Sequence, residues 1–146
     1  MHRPANRLRC CQSGFTLTEL LVVLAILGIL AAIAYPVYTE QLRQSRRAEG
    51  MSALLELAVR LEGFYADHGT YLGATLGHSA SDIFPATTQN GYYTLRIDAI
   101  SATGYRLGAT PTRRAQQHRD RCGRFMLSSL GVRSVSNVAH YDRCWR

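Results

Sequence analysis

A chain of 146 residues that devotes much of its 47% apolar content to one uninterrupted run has room for only one small globular domain beside it. All 17 basic residues are arginine, and against 10 acids they give a net +7, which allows weak attraction to nucleic acid or anionic surfaces without demanding it. There is no CxxC, the five histidines are scattered, and no histidine, acid and nucleophile fall at a catalytic spacing. The sequence therefore points away from a metal module, a cofactor enzyme or a hydrolase.

Residues 1–14 are polar and basic, with Pro4 early and no apolar periodicity, and read as a leader rather than a folded element. Removing them takes away Arg3, Arg7 and Arg9 and no acid, leaving fourteen arginines against the same ten acids, a net +4. Cys10 and Cys11 lie in this leader. No apolar segment precedes them, as a lipoprotein cysteine would need, so they read as reduced thiols without a role.

The stretch Gly14-Phe15-Thr16-Leu17-Thr18-Glu19 opens an apolar run, Leu20 to Tyr38, that carries no charge. At 1.5 Å per residue its helix is ~28 Å long, close to the thickness of a bilayer core. Gly28 and Pro36 lie inside it. Both weaken a helix in water and both are tolerated in lipid, with a kink expected near residues 32–36. Glu19 is the odd residue. A carboxylate at the centre of a membrane helix costs ~2.5–3.5 kcal/mol, less near the edge, and calls for a partner.

The apolar pattern continues past the run. Met51, Leu54, Leu55, Ala58, Leu61 and Tyr65 recur at helical spacing with Glu49, Ser52, Glu56, Arg60 and Glu62 between them, predicting an amphipathic helix. Glu40, Arg43, Arg46, Arg47 and Glu49 form a charged collar in which Glu40–Arg43 and Arg46–Glu49 are spaced to pair. One helix is predicted from Phe15 to about Asp67, stopped by Gly69.

Residues 70–90 read as a long surface loop. Alternation then predicts strands at Tyr93–Ile97 and Tyr105–Ala109, joined by a turn at residues 101–104. A third strand is predicted from Arg124 to Ser128, and a short fourth near Val132–Val135. No crossover helix is visible, so the fold class is α+β: one long helix packed by its apolar stripe on a small antiparallel sheet. Arg113, Arg114, Arg119 and Arg121, with His118 and Arg124, make the densest basic patch. No aromatic residue falls between 112 and 123, and the patch reads first as a solvated loop. Cys122 and Cys144 sit in polar surroundings, as a disulfide in an oxidising compartment would. If bridged, they close a loop worth ~3 kcal/mol by chain entropy and tie Trp145 to the sheet edge.

The opening stretch resembles the class III prepilin signature of type IV pilins, carried by Gly14, Phe15, Glu19 and the apolar run. Gly28, Pro36, Arg46-Arg47-Ala48-Glu49 and Gly69-Thr70-Tyr71 extend the resemblance. Gly91-Tyr92-Tyr93-Thr94, Asp120-x-Cys122-Gly123 and Cys144-Trp145 are similar to PilE-type minor pilins, whereas Thr18 departs from the usual apolar residue. The resemblance implies a type IV pilin fold. Its parts are a leader at 1–14, a membrane and filament-core helix at 15–38, the amphipathic half at 39–67, and a head at 68–146 with a C-terminal disulfide loop.

It further implies cutting by a prepilin peptidase between Gly14 and Phe15, N-methylation of Phe15, and assembly with other pilin subunits on an inner-membrane platform. Glycine before the cut lets the backbone lie extended in an active site. The new α-amino group of Phe15 on a neighbouring subunit is the natural partner for Glu19, and helicity is expected to loosen between Gly28 and Pro36 in the fibre. The implied life history is a single-pass inner-membrane protein, N-terminus cytoplasmic and head periplasmic, then an extracellular minor-pilin subunit. The fibre would support adhesion, twitching motility or DNA uptake. Three rivals remain: a type II secretion pseudopilin, a DNA-binding uptake pilin using the 113–124 arginines, and a soluble secreted protein cut after Ala34 to begin at Tyr35.

Overall fold

A computed structural model describes residues 14–77, 79–137, 139 and 141–145. The leader up to residue 13, and with it Cys10 and Cys11, lies outside the described residues. Two compact units are distinguished, Met1–Thr39 and Glu40–Arg146.

The first unit is helical from Leu17, the start of helix α1 (Leu17–His68). Thr16 begins the helix by accepting a hydrogen bond from the Glu19 amide at 3.2 Å, satisfying one of the donors a helix start leaves free. Helical assignment runs unbroken through Gly28 and Pro36. Thr39 Oγ1 donates to the Pro36 carbonyl at 2.9 Å. The run is fully exposed, and an 18-residue window has a mean hydropathy of 2.7, long and apolar enough to cross a membrane.

In the second unit α1 contributes Arg47, Gly50, Ala53, Leu54, Leu57 and Leu61 to the interior. This stripe is rotated from the predicted one: Leu54 and Leu61 belong to it, but Leu55 is 42% exposed and Tyr65 lies at the surface. The rotation follows from Gly50, where a Cβ would stand 2.9 Å from the Tyr93 ring, so that only glycine lets helix and sheet approach there.

The sheet is an antiparallel meander of β1 (Tyr93–Ile100), β2 (Tyr105–Pro111), β3 (Phe125–Ser128) and β4 (Arg133–Val135), in that order. Alternate residues point inward: Tyr93 and Leu95, Tyr105, Leu107 and Ala109, Phe125 and Leu127, then Val135. The register shifts between Ile97 and Ala99, and Asp98 in that irregularity pairs with Arg124 across the sheet. Gly108 makes room for this, since a Cβ there would collide with the Arg124 guanidinium. Residues 101–104 close the β1–β2 hairpin, with the Ser101 amide donating to the Gly104 carbonyl at 2.8 Å.

The segment 70–90 is more than a surface loop. Tyr71, Ala74 and Thr88 are buried, and bridges Leu76–Phe84 and Thr87–Thr94 stitch it to itself and to β1. Cys122 and Cys144 form the disulfide, with Cα atoms 5.7 Å apart, next to the short helix α2 (Tyr141–Cys144). Trp145 is held at the sheet, its ring edge-on to Phe125 and its Nε1 donating to the Ser134 carbonyl at 3.0 Å.

Candidate functional site

The N-terminal elements are open. A Cβ at Gly14 would meet nothing within 4 Å beyond its chain neighbours, and Phe15 is 83% exposed. The hydroxyls of Thr16 and Thr18 lie 3.2 Å apart, which gives the unusual Thr18 a local partner at the helix start. Among the described residues the Glu19 carboxylate has no hydrogen bond or ion pair, and it sits in the first turn of α1, where the helix dipole favours a negative charge. A Cβ at Gly28 would likewise meet nothing within 4 Å beyond the backbone of its own helix.

In the head, the arginine loop is built on β2. Thr112 follows the strand and fixes the loop's start: its amide donates to the Tyr92 carbonyl at 2.8 Å and its hydroxyl to the Gly91 carbonyl at 2.7 Å. A 3-10 segment, Arg114–Arg119, comes next, but Ala115 and Gln116 break it by adopting left-handed backbone at φ 47° and 59°. Non-glycine residues avoid that region because Cβ crowds the carbonyl, at about 1–2 kcal/mol per residue. The turn is completed by the His118 amide donating to the Thr112 carbonyl at 2.9 Å. Arg113, Arg114, Arg119 and Arg121 are all exposed, while Gln117 and Asp120 between them are buried.

Two anchors come from α1. Arg47 donates through Nε and Nη2 to both oxygens of Asp120, at 2.6–2.9 Å, and its Nη2 also donates to Glu40 at 2.7 Å. Burial disfavours the Arg47 charge, but the bonds and charges of Asp120 and Glu40 outweigh it and raise its pKa further, so the pair stays ionic. Asp120 also accepts from the Cys122 amide at 3.3 Å, which joins the pair to the disulfide.

The second anchor is Arg46. It donates to the Ala115 carbonyl at 3.0 Å, and its guanidinium stands 4.8 Å over the Tyr92 ring. The expected Arg46–Glu49 pair is therefore absent: Glu49 turns instead to the Asn90 amide and side chain at 3.1 and 2.9 Å. Desolvation opposes ionisation of Glu49, yet hydrogen bonds from Thr88 and Asn90 and the charge of Arg114 hold its pKa below the usual carboxylate range. The other collar pair, Glu40–Arg43, does form at 3.7 Å.

Sequence reasoning thus found the exposed arginines and missed what holds them. Tyr92 supplies the aromatic surface that the loop itself lacks. Arg47 and Asp120 stand within the quoted segments Arg46-Arg47-Ala48-Glu49 and Asp120-x-Cys122-Gly123, but nothing local in either marks them as a buried pair. Two more arginines, Arg96 and Arg106, are exposed on the strands, whereas Arg124 is tied to Asp98.

Known proteins share both the sequence and the fold. A family model described as "Type IV minor pilin ComP, DNA uptake sequence receptor" matches residues 36–126, more than half of the chain, including all but the last part of the head. A model of the prokaryotic N-terminal methylation motif matches residues 9–35. The chain is 34% identical to the fimbrial protein EcpC of Eikenella corrodens over 97 residues, covering 66% of this chain and 60% of that protein. It is 48% identical to the type IV major fimbrial protein FimA of Dichelobacter nodosus over 54 residues, 37% of this chain and 34% of that one. It therefore spans less than two thirds of the length of these relatives. Among solved structures, the non-core minor pilin PilV of Neisseria meningitidis superposes with a TM-score of 0.52 at 22% identity, over 66% of this chain and 88% of that one, and shares the fold.

Proposed function

This chain belongs to the family of type IV minor pilins described as ComP, DNA uptake sequence receptor, and we propose that in the pilus its head binds DNA through the arginine loop. Its place as a type IV pilus subunit follows from that membership and from the methylation motif at its N-terminus. A structural subunit, not catalysis, is the role of this family. The apolar helix and the methylation motif fit a pilin anchored in a membrane before it joins an extracellular fibre.

The DNA reading rests chiefly on one observation. Within the matched region 36–126, a loop with Arg113, Arg114, Arg119 and Arg121 exposed is held against the head at both ends, beside an arginine stacked on an aromatic ring. Exposed arginines meet phosphates, and a fixed loop loses less entropy on binding them. On this reading the loop meets phosphate rather than water alone. The test is fluorescence anisotropy of the full-length chain in detergent micelles against labelled mixed-sequence duplex DNA. Arg113, Arg114, Arg119 and Arg121→Ala together should abolish most of the binding, and undiminished binding would refute this use of the loop.

The N-terminal roles belong to the same reading. A prepilin peptidase cuts between Gly14 and Phe15 and Phe15 is N-methylated. Glu19, without a partner in its own chain among the described residues, receives the amine of a neighbouring subunit on the assembly platform. Gly28 and Pro36 mark where α1 yields in the fibre. Before assembly the leader faces the cytoplasm and the head the periplasm. Mass spectrometry of the mature N-terminus is the check: N-methyl-Phe15 is expected, and a start at Tyr35 would refute the processing scheme.

A further inference from the structure

We propose that Gln117 is a positioning residue for the DNA-binding loop: a buried peg that holds residues 113–119 in the conformation from which the arginines are presented. This rests on the DNA reading above.

Four observations carry it. Gln117 is fully buried in the middle of an otherwise exposed, charged loop. A glutamine in such a place is there for its hydrogen bonds: its Nε2 donates to the Tyr93 hydroxyl at 3.0 Å and to Asp120 Oδ2 at 3.1 Å, with the Arg43 carbonyl of α1 a longer contact at 3.5 Å. Those acceptors are core groups: Tyr93 packs against Phe125 and beneath Gly50, and Asp120 is locked to Arg47. Finally, the two residues just before Gln117 are held in left-handed backbone, a conformation that persists only where neighbouring contacts enforce it. The Arg46 bond to the Ala115 carbonyl is the outer contact and Gln117 the inner one.

The same geometry separates positioning from folding. Among the described residues Gln117 Oε1 is buried without a partner, so the side chain is an imperfect tenant of the core. Methionine fills nearly the same volume and removes that unsatisfied oxygen together with the bonds donated by Nε2. Asp120 keeps Arg47 and the Cys122 amide. Gln117→Met should therefore leave the head folded while freeing the loop.

The experiment compares the full-length wild type, Gln117→Met and Tyr93→Phe in detergent micelles by three readouts: thermal midpoint, trypsin cleavage after Arg113, Arg114 or Arg119, and anisotropy with mixed-sequence duplex DNA over a salt series. For Gln117→Met we expect an unchanged midpoint and several-fold faster cleavage. DNA binding should be roughly tenfold weaker, with a salt slope shallower by about 1, as fewer arginines engage phosphates at once. Tyr93→Phe keeps the ring, removes a hydroxyl bonded to both Gln117 and Asp120, and should show the same loop changes in smaller measure. If the variants are cleaved and bind DNA as the wild type does, the positioning role falls and the DNA reading stands. If the wild type shows no salt-dependent binding, the DNA reading falls and takes this proposal with it.

Discussion

Arg47 and Asp120, separated by 73 positions in sequence, are joined by three hydrogen bonds of 2.6–2.9 Å in the interior of the head, and the Asp120 side chain is wholly buried. The pair fastens α1 to the segment between the arginine loop and the disulfide. Removing one partner of such a pair strands the other charge away from water, at about 3–5 kcal/mol. Arg47→Ala, which strands the Asp120 carboxylate, should lower head stability by that amount in chemical denaturation, and Asp120→Ala, which leaves Arg47 its bond to Glu40, should cost less. The double substitution should cost far less than the sum, because it strands neither charge.

Gly50 offers a test of helix-on-sheet packing. A methyl group there would meet the Tyr93 ring at 2.9 Å, so Gly50→Ala should destabilise the head by about 1–3 kcal/mol despite the better helix propensity of alanine. Combining it with Tyr93→Leu should return part of the loss. A Gly50→Ala protein as stable as the wild type would mean that the helix does not approach the sheet this closely.

Alkali should loosen the head. Burial pushes the Tyr105 hydroxyl up, and its hydrogen bond to Glu62 and the charge there push it further. Burial also raises Tyr93, partly offset by the bond from Gln117. A folded pKa above the unfolded value of about 10 favours the protonated form in the native state. The associated stability is fully present below about pH 10 and is lost as pH climbs beyond it. The denaturation midpoint should therefore fall above about pH 10, and less steeply in Tyr105→Phe, which no longer contributes its share.

Much of the architecture was legible in local patterns. The charge-free run, the strand alternations around Leu95 and Leu107 and the polar setting of Cys122 and Cys144 each express a preference of the residues themselves. The stripe facing the core was less legible, since its rotation depends on Gly50 clearing Tyr93, and helical spacing alone cannot tell Leu55 from Leu57. Arg47 was beyond local reading. An arginine beside other charges looks like part of a solvated collar until Asp120, far along the chain, is folded against it. The same holds for Tyr92, which meets Arg46 only in three dimensions, and for Gln117, whose burial no neighbour announces.

At the N-terminus, Glu19→Gln keeps the size and helical setting of the side chain and removes its charge. Cleavage before Phe15 should continue, while recovery of the subunit in sheared pili should drop at least severalfold if an ionic partner on another subunit is what Glu19 awaits. Normal recovery would show that the carboxylate is dispensable for assembly.

The central claim is that this minor pilin grips DNA phosphates with its arginine loop, and the salt dependence of duplex binding tests it most directly. Each phosphate contact contributes about −0.9 to the slope of log affinity against log salt. The full-length wild type should bind mixed-sequence duplex with a steep negative slope, and replacing Arg113, Arg114, Arg119 and Arg121 by alanine should make that slope shallower by up to about 3.6. A wild-type affinity indifferent to salt, or a slope unchanged by the four substitutions, would contradict the account.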